Sequence, residues 1–137
     1  MEQDEAMNAT GLLLPVNKTP WDFTEKKPLC RDWNEAQGYD QSFIINNYDG
    51  SLQLCAEAEN ETATLGLNVY TTEPVVHLYT GRWIPEVIGK NNTPYGPCSG
   101  VCFETQHHPN AINLHGFPDT VLRPGEHFSR TDKYMAV

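Results

Sequence analysis

The chain has 137 residues, and its nine Lys and Arg against eighteen Asp and Glu give a formal net charge of −9. That balance disfavours nucleic acid, a polyanion, as a partner, and no apolar run approaches the ~20 residues that a membrane-crossing helix requires. The length suits one domain with one core, while ten Gly and ten Pro punctuate the chain often enough to favour short strands and turns, so the expected class is all-β.

Residues 1–7 are acidic and polar, without the basic start and apolar centre of a secretory leader, which points to the cytoplasm. Four acceptor sequons, at Asn8, Asn17, Asn60 and Asn91, each followed two positions later by Thr, keep a secreted protein as the alternative. Cys30, Cys55, Cys98 and Cys102 are too few for a disulfide scaffold and lack the paired spacing of a structural zinc site, so reduced thiols and no metal are expected.

Along the chain, residues 47–50 read as a turn, and residues 51–59 alternate with Leu52, Leu54, Ala56 and Ala58 on one face and Gln53, Cys55, Glu57 and Glu59 on the other. This predicts a half-buried antiparallel strand. The polar stretch 60–64 predicts a hairpin connection, and Leu65, Leu67 and Val69 continue as the next strand. Residues 75–80, rich in β-branched and aromatic side chains after Pro74, predict another strand ending at Gly81. Residues 85–100 carry three Pro and three Gly and read as a long surface loop. In the strand predicted at 101–106, Val101 and Phe103 share one side and Cys102, Glu104 and Gln106 the other; in the preceding strand Val75, His77 and Tyr79 share a side. A face bearing Glu, Gln, His and Tyr suits a polyhydroxylated ligand, with hydrogen bonds for its hydroxyls and an aromatic body for its apolar side. The alternative is a solvated outer face, which needs no ligand.

Five segments, in order, resemble the aldose 1-epimerase family. Thr10-Gly11 with Thr19-Pro20-Trp21-Asp22-Phe23 is similar to "PTG … TPFDF", and Gly38-Tyr39-Asp40-Gln41-Ser42-Phe43 to "GYDHxF". Val69-Tyr70-Thr71-Thr72-Glu73-Pro74 followed by Leu78-Tyr79-Thr80-Gly81 resembles "VYTTxPxxQFYTGN". Cys102-Phe103-Glu104-Thr105-Gln106 with Pro109, Ala111 and Asn113 resembles "CLETQxxPDAxN", and Phe117-Pro118, Leu122-Arg123-Pro124-Gly125-Glu126 and Tyr134 resemble the closing "FP … LRPGExY … Y".

The resemblance implies an antiparallel β-sandwich of the galactose mutarotase-like type, with a hexose in a concave cleft and no cofactor. It implies that Glu104 is the general base and that Asp40 binds sugar hydroxyls. His77 stands where relatives commonly carry a substrate-contacting Gln. For Asp40 the alternative is a turn residue after Gly38, and for His77 an imidazole whose hydrogen bonds are satisfied without a ligand. Residues 1–137 would then be the C-terminal part of one such domain. Nothing in them resembles the family's "HxYFNL" block with its general-acid His, and none of His77, His107, His108, His115 and His127 sits in a matching segment. Gln41 replaces the usual His after Asp40, and Arg82 the usual Asn after Gly81. Strands deprived of neighbours would favour self-association or pairing with a complementary N-terminal half. A non-catalytic carbohydrate-binding module and an inactive fragment are the alternatives to a working mutarotase.

Overall fold

The computed structural model describes residues 1–34 and 37–137. Eight strands are seen among them: β1 (Asp40–Ile44), β2 (Gln53–Glu59), β3 (Gly66–Thr71), β4 (Val75–Tyr79), β5 (Val87–Ile88), β6 (Pro94–Tyr95), β7 (Cys102–Gln106) and β8 (Asp132–Ala136). The helices among the described residues are three 3-10 turns of three or four residues, at Leu29–Asp32, Lys90–Asn92 and Ala111–Asn113. The all-β expectation holds. No described helix is long and apolar enough to cross a membrane.

The strands form one sheet in the order β1-β4-β7, a second in the order β2-β3-β8 and the hairpin β5-β6. Two compact units are present, one made of Met1–Leu14, Ser42–Val76 and Thr105–Val137, the other of Pro15–Gln41 and His77–Glu104.

In the first unit β3 lies between β2 and β8 and pairs antiparallel with both. A central strand has partners on both edges, and Val69 and Thr71 on β3 are fully buried, as is Val75. The β2-β3 connection is built by Asn60, whose Oδ1 accepts hydrogen bonds from the backbone N–H groups of Thr64 and Leu65, while Ala63 takes a positive φ of 51°. The predicted hairpin is therefore present, but Leu65 belongs to the turn and is exposed rather than opening the strand.

The predicted two-faced alternation of residues 51–59 is corrected by a β-bulge. Leu54 pairs with Tyr70 and Ala56 with Val69, so Cys55 is an extra residue without a partner on β3. One inserted residue exchanges the faces. Leu52 and Leu54 are exposed, Ala56 and Ala58 are partly covered, and the Cys55 thiol turns in to donate to the Val69 carbonyl at 3.3 Å. Burial raises the Cys55 pKa to about 11.

Asp132, at the start of β8, ties this unit together. Its Oδ1 accepts from the Thr71 and Thr105 hydroxyls, each at 2.7 Å, and its Oδ2 from Arg130 Nε at 2.6 Å. Desolvation pushes its carboxyl up, but the hydrogen bonds from Thr105, Arg130 and Thr71 together outweigh it and hold the pKa below the ordinary aspartate value. Nearby, the buried Glu73 carboxylate meets His107 Nδ1 at 2.5 Å.

In the second unit the predicted loop at 85–100 is not structureless. Val87 pairs with Tyr95 and Ile88 with Pro94, closing a short hairpin across Asn91 and Asn92, both with positive φ.

Candidate functional site

The candidate site is built on the second unit's share of β1, β4 and β7. Its geometry starts at Gly38, which takes a φ of +62° and has no room for a side chain, since a Cβ there would lie 2.5 Å from Thr80 Oγ1. That close approach lets the Tyr39 N–H donate to Thr80 Oγ1 at 2.8 Å while the Thr80 N–H returns a bond to the Tyr39 carbonyl at 2.9 Å. The Tyr39 and Thr80 side chains are buried, so the exchange is shielded from water. It fixes the start of β1 against the end of β4.

The next residue, Asp40, is thereby brought to His77, with Oδ1 and Nε2 2.9 Å apart. A carboxylate offers only acceptors, so Nε2 carries the proton in this contact. The two side chains are 27% and 16% exposed, enough for a ligand to reach yet partly shielded. Asp40 is thus the first residue of a strand, not a turn residue after Gly38. Its second carboxylate oxygen makes no hydrogen bond among the described residues and remains an acceptor.

Glu104 lies on β7, the strand on the other side of β4 from β1. Alternation turns the Phe103 side chain inward and leaves Glu104 exposed. Its carboxylate has no hydrogen bond or ion pair among the described residues. Two properties follow: the group is reachable from solvent, and both oxygens can accept a proton or a hydrogen bond. The sheet therefore brings Asp40 and His77 into contact and carries Glu104 on the neighbouring strand, all three in one compact unit. Among the described residues, no group of three or more His, Cys, Asp or Glu could hold a metal ion.

In the sequence Gln41 is a departure from the family pattern and Trp21 part of a motif block, but the contact between them is not legible there. Gln41 Oε1 accepts from the Asp40 N–H and from Trp21 Nε1–H, each at 3.0 Å. Nothing in the spacing signals a contact between positions 21 and 41; only their presence in two adjoining motif blocks hinted at a shared place. Trp83 follows β4, its N–H donating to the Tyr79 hydroxyl at 2.8 Å and its ring lying under Arg82.

Comparison with known proteins gives a consistent set of likenesses. A sequence model of the aldose 1-epimerase family matches residues 1–135. Galactose mutarotase of Sus scrofa is 34% identical over 135 residues, which cover 96% of this chain and 39% of that protein. Galactose mutarotase of Homo sapiens is 34% identical over 131 residues, 93% and 38% respectively. Aldose 1-epimerase of Escherichia coli (strain K12) is 27% identical over 133 residues, 91% and 38%. The crystal structure of a GalM/aldose epimerase homologue from C. elegans superposes with a TM-score of 0.85 at 29% identity, covering 99% of this chain and 42% of that one. The antiparallel all-β fold is thus shared with that homologue and corresponds to part of its sandwich. The chain spans 39% of the length of the first of these curated relatives.

Proposed function

The chain belongs to the aldose 1-epimerase family, and from that premise we propose that it binds a hexose such as galactose or glucose beside Asp40 and His77, with Glu104 as the base that interconverts the α and β anomers. The observation that supports this reading is the Asp40–His77 contact at 2.9 Å on adjacent strands, with an uncommitted, exposed carboxylate on the next strand. Residues 1–137 act, in this reading, as part of a single aldose 1-epimerase-like domain.

The chemistry needs no cofactor, because ring opening and closure involve no net oxidation or reduction and are served by acid–base catalysis. Glu104 takes the proton from the C1 hydroxyl, and the electrons of that O–H bond form the C1=O double bond. The C1–O5 bond breaks with its pair going to O5, which takes up a proton. Rotation about C1–C2 by a half turn presents the other face of the aldehyde, and the same steps in reverse close the opposite anomer. Asp40 accepts a sugar hydroxyl through its second oxygen, and the proton on His77 Nε2 keeps that carboxylate oriented. An acid or base in such a reaction contributes ~10²–10⁴-fold. We assign the donor to O5 to none of the five His, and place it in a partner surface or in water. The exposed Leu12, Leu13 and Leu14, each about half exposed, suit a partner surface for a second copy or a complementary segment.

A second reading is sugar binding without turnover, for which the Asp40–His77 contact and the second Asp40 oxygen suffice. Two measurements on the same protein separate the readings. Calorimetric titration with D-galactose should give saturable binding that Asp40→Asn weakens. Polarimetry on freshly dissolved α-D-galactose should show equilibration faster than the spontaneous rate. Binding with only the spontaneous rate selects the second reading, and no binding rejects both.

A further inference from the structure

Trp21 is a large aromatic side chain left 42% exposed, yet both its backbone and its indole N–H are held by hydrogen bonds. Its backbone N–H donates to Thr19 Oγ1 at 3.2 Å. The carbonyl just before it, of Pro20, accepts from Lys27 Nζ at 2.6 Å and from the Tyr39 hydroxyl at 3.1 Å. The Lys27 side chain is only 1% exposed, paired with Asp32 at 2.7 Å and placed over the Phe23 ring. A buried ammonium costs free energy to desolvate, and here it is compensated by the Asp32 carboxylate, the Pro20 carbonyl and the Phe23 ring face. The bond to Pro20 anchors the backbone leading into Trp21. Tyr39 is held in turn by edge-to-face contacts with Phe23 and Trp33.

The indole itself is fixed by Gln41. Trp21 Nε1–H and the Asp40 N–H donate to the same Gln41 oxygen, each over 3.0 Å, so two 3.0 Å bonds sharing one atom put the indole nitrogen within 6.0 Å of the Asp40 amide nitrogen. β1 is an edge strand of its sheet, and Gln41 Oε1 covers an edge N–H that would otherwise face water. At 42% exposure a large part of Trp21 stays open to solvent. A rigid aromatic face beside a hydrogen-bonding carboxylate offers what a pyranose presents: C–H groups on one side of its ring and hydroxyls around the rim.

We propose that Trp21 is a stacking platform for the apolar face of a pyranose whose hydroxyls are bound at Asp40, and that Gln41 is the positioning residue that ties this platform to Asp40. The assignment rests on the sugar-binding reading above and adds the substrate class recognised through its ring face.

The test uses the full chain and D-galactose, read by calorimetry and by tryptophan emission. Trp21→Ala weakens the dissociation constant about 3- to 10-fold, the range for one aromatic contact, without changing the melting temperature. Saturating galactose shifts the emission of a Trp33→Phe/Trp83→Phe double variant, where Trp21 is the remaining indole, and the shift is absent from Trp21→Phe. Gln41→Leu lowers the emission anisotropy of Trp21 and weakens binding, and Gln41→Glu, which keeps the accepting oxygen, restores both. Undiminished affinity in Trp21→Ala, or an emission shift that persists in Trp21→Phe, overturns the assignment of the platform. If those results come with binding that Asp40→Asn still weakens, the sugar site stands and only the platform falls. If the unaltered chain gives no heat of binding, both fall together.

Discussion

The Asp132 carboxylate is the point at which the first compact unit can be perturbed most cleanly. It accepts three hydrogen bonds, from the Thr71 and Thr105 hydroxyls and from Arg130. Thr71 is fully buried and Thr105 nearly so, whereas Arg130 is part-exposed and can turn to water. Asp132→Ala therefore leaves two buried O–H donors without their acceptor, although Thr71 Oγ1 still accepts from the Glu73 N–H and Thr105 Oγ1 from Arg130, and it removes three bonds to an ionised group. Such bonds contribute roughly 1.5–3 kcal/mol each, and with partial recovery by Arg130 the expected loss is about 3–5 kcal/mol. For a chain of this length that corresponds to a fall in melting temperature of roughly 10–20 °C. Asp132→Asn keeps one oxygen for the hydroxyls but turns an amide toward Arg130, for an expected loss of about 1–2 kcal/mol. Thermal unfolding followed by circular dichroism reads both. The folded pKa is depressed, so this stability is fully present above the unfolded value near 3.8 and is lost as pH falls through the folded one. The gap between the unaltered protein and Asp132→Ala should therefore close below about pH 4. An Ala variant within about 1 kcal/mol of the unaltered protein at neutral pH would refute the reasoning.

Other consequences are open to direct measurement. With its pKa at about 11 against an ordinary 9.0, the Cys55 thiol should be alkylated by iodoacetamide about 100-fold more slowly at pH 8 than the exposed Cys30 and Cys102, as peptide mass spectrometry would show; equal rates would contradict its burial. Gly81→Ala forces a side chain into a φ of +73° with its Cβ 2.9 Å from the Gly100 carbonyl, and should lower stability by about 1–3 kcal/mol in chemical denaturation. Burial, with repulsion from His107 second, lowers the His108 pKa from 6.5, so its neutral form contributes stability that is present above that value and lost as pH falls through the folded pKa. His108→Phe should flatten that part of the melting profile below about pH 6.5, and an unchanged profile would count against it.

Two local patterns foretold the structure found. On β7 the alternation of Phe103 and Glu104 reads directly from the residues, and the resulting orientation is the one found. The hairpin at Asn60 was legible because Asn has a specific way of closing a turn. The bulge at Cys55 was not. Residues 52–58 alternate without a flaw, and the face exchange arises from hydrogen-bond register with β3, which is a property of two segments together. β5 and β6, at two residues each, are too short to show a period. β8 mixes Asp, Lys, Tyr, Met and Ala with no alternation, and is a strand because β3 has an open edge for it. In the candidate site, motif resemblance supplied Asp40, His77 and Glu104, but not the contacts among their neighbours. The Asp40–His77 contact joins residues 37 positions apart and the Trp21–Gln41 bond residues 20 apart. The first follows from the close approach of Gly38 to Thr80, whose effect is visible only once β1 lies beside β4.

The proposed role of Glu104 is tested most directly by anomeric proton exchange, read by magnetisation-transfer NMR on galactose saturating the protein, in the unaltered chain and in Glu104→Gln. The substitution keeps size and hydrogen-bonding reach while removing the basic oxygen. The expected result is an α-to-β exchange rate reduced ~10²–10⁴-fold toward the spontaneous rate, or to it, with the dissociation constant for galactose unchanged. Exchange that stays as fast in Glu104→Gln as in the unaltered protein would contradict the assignment of Glu104 as the base.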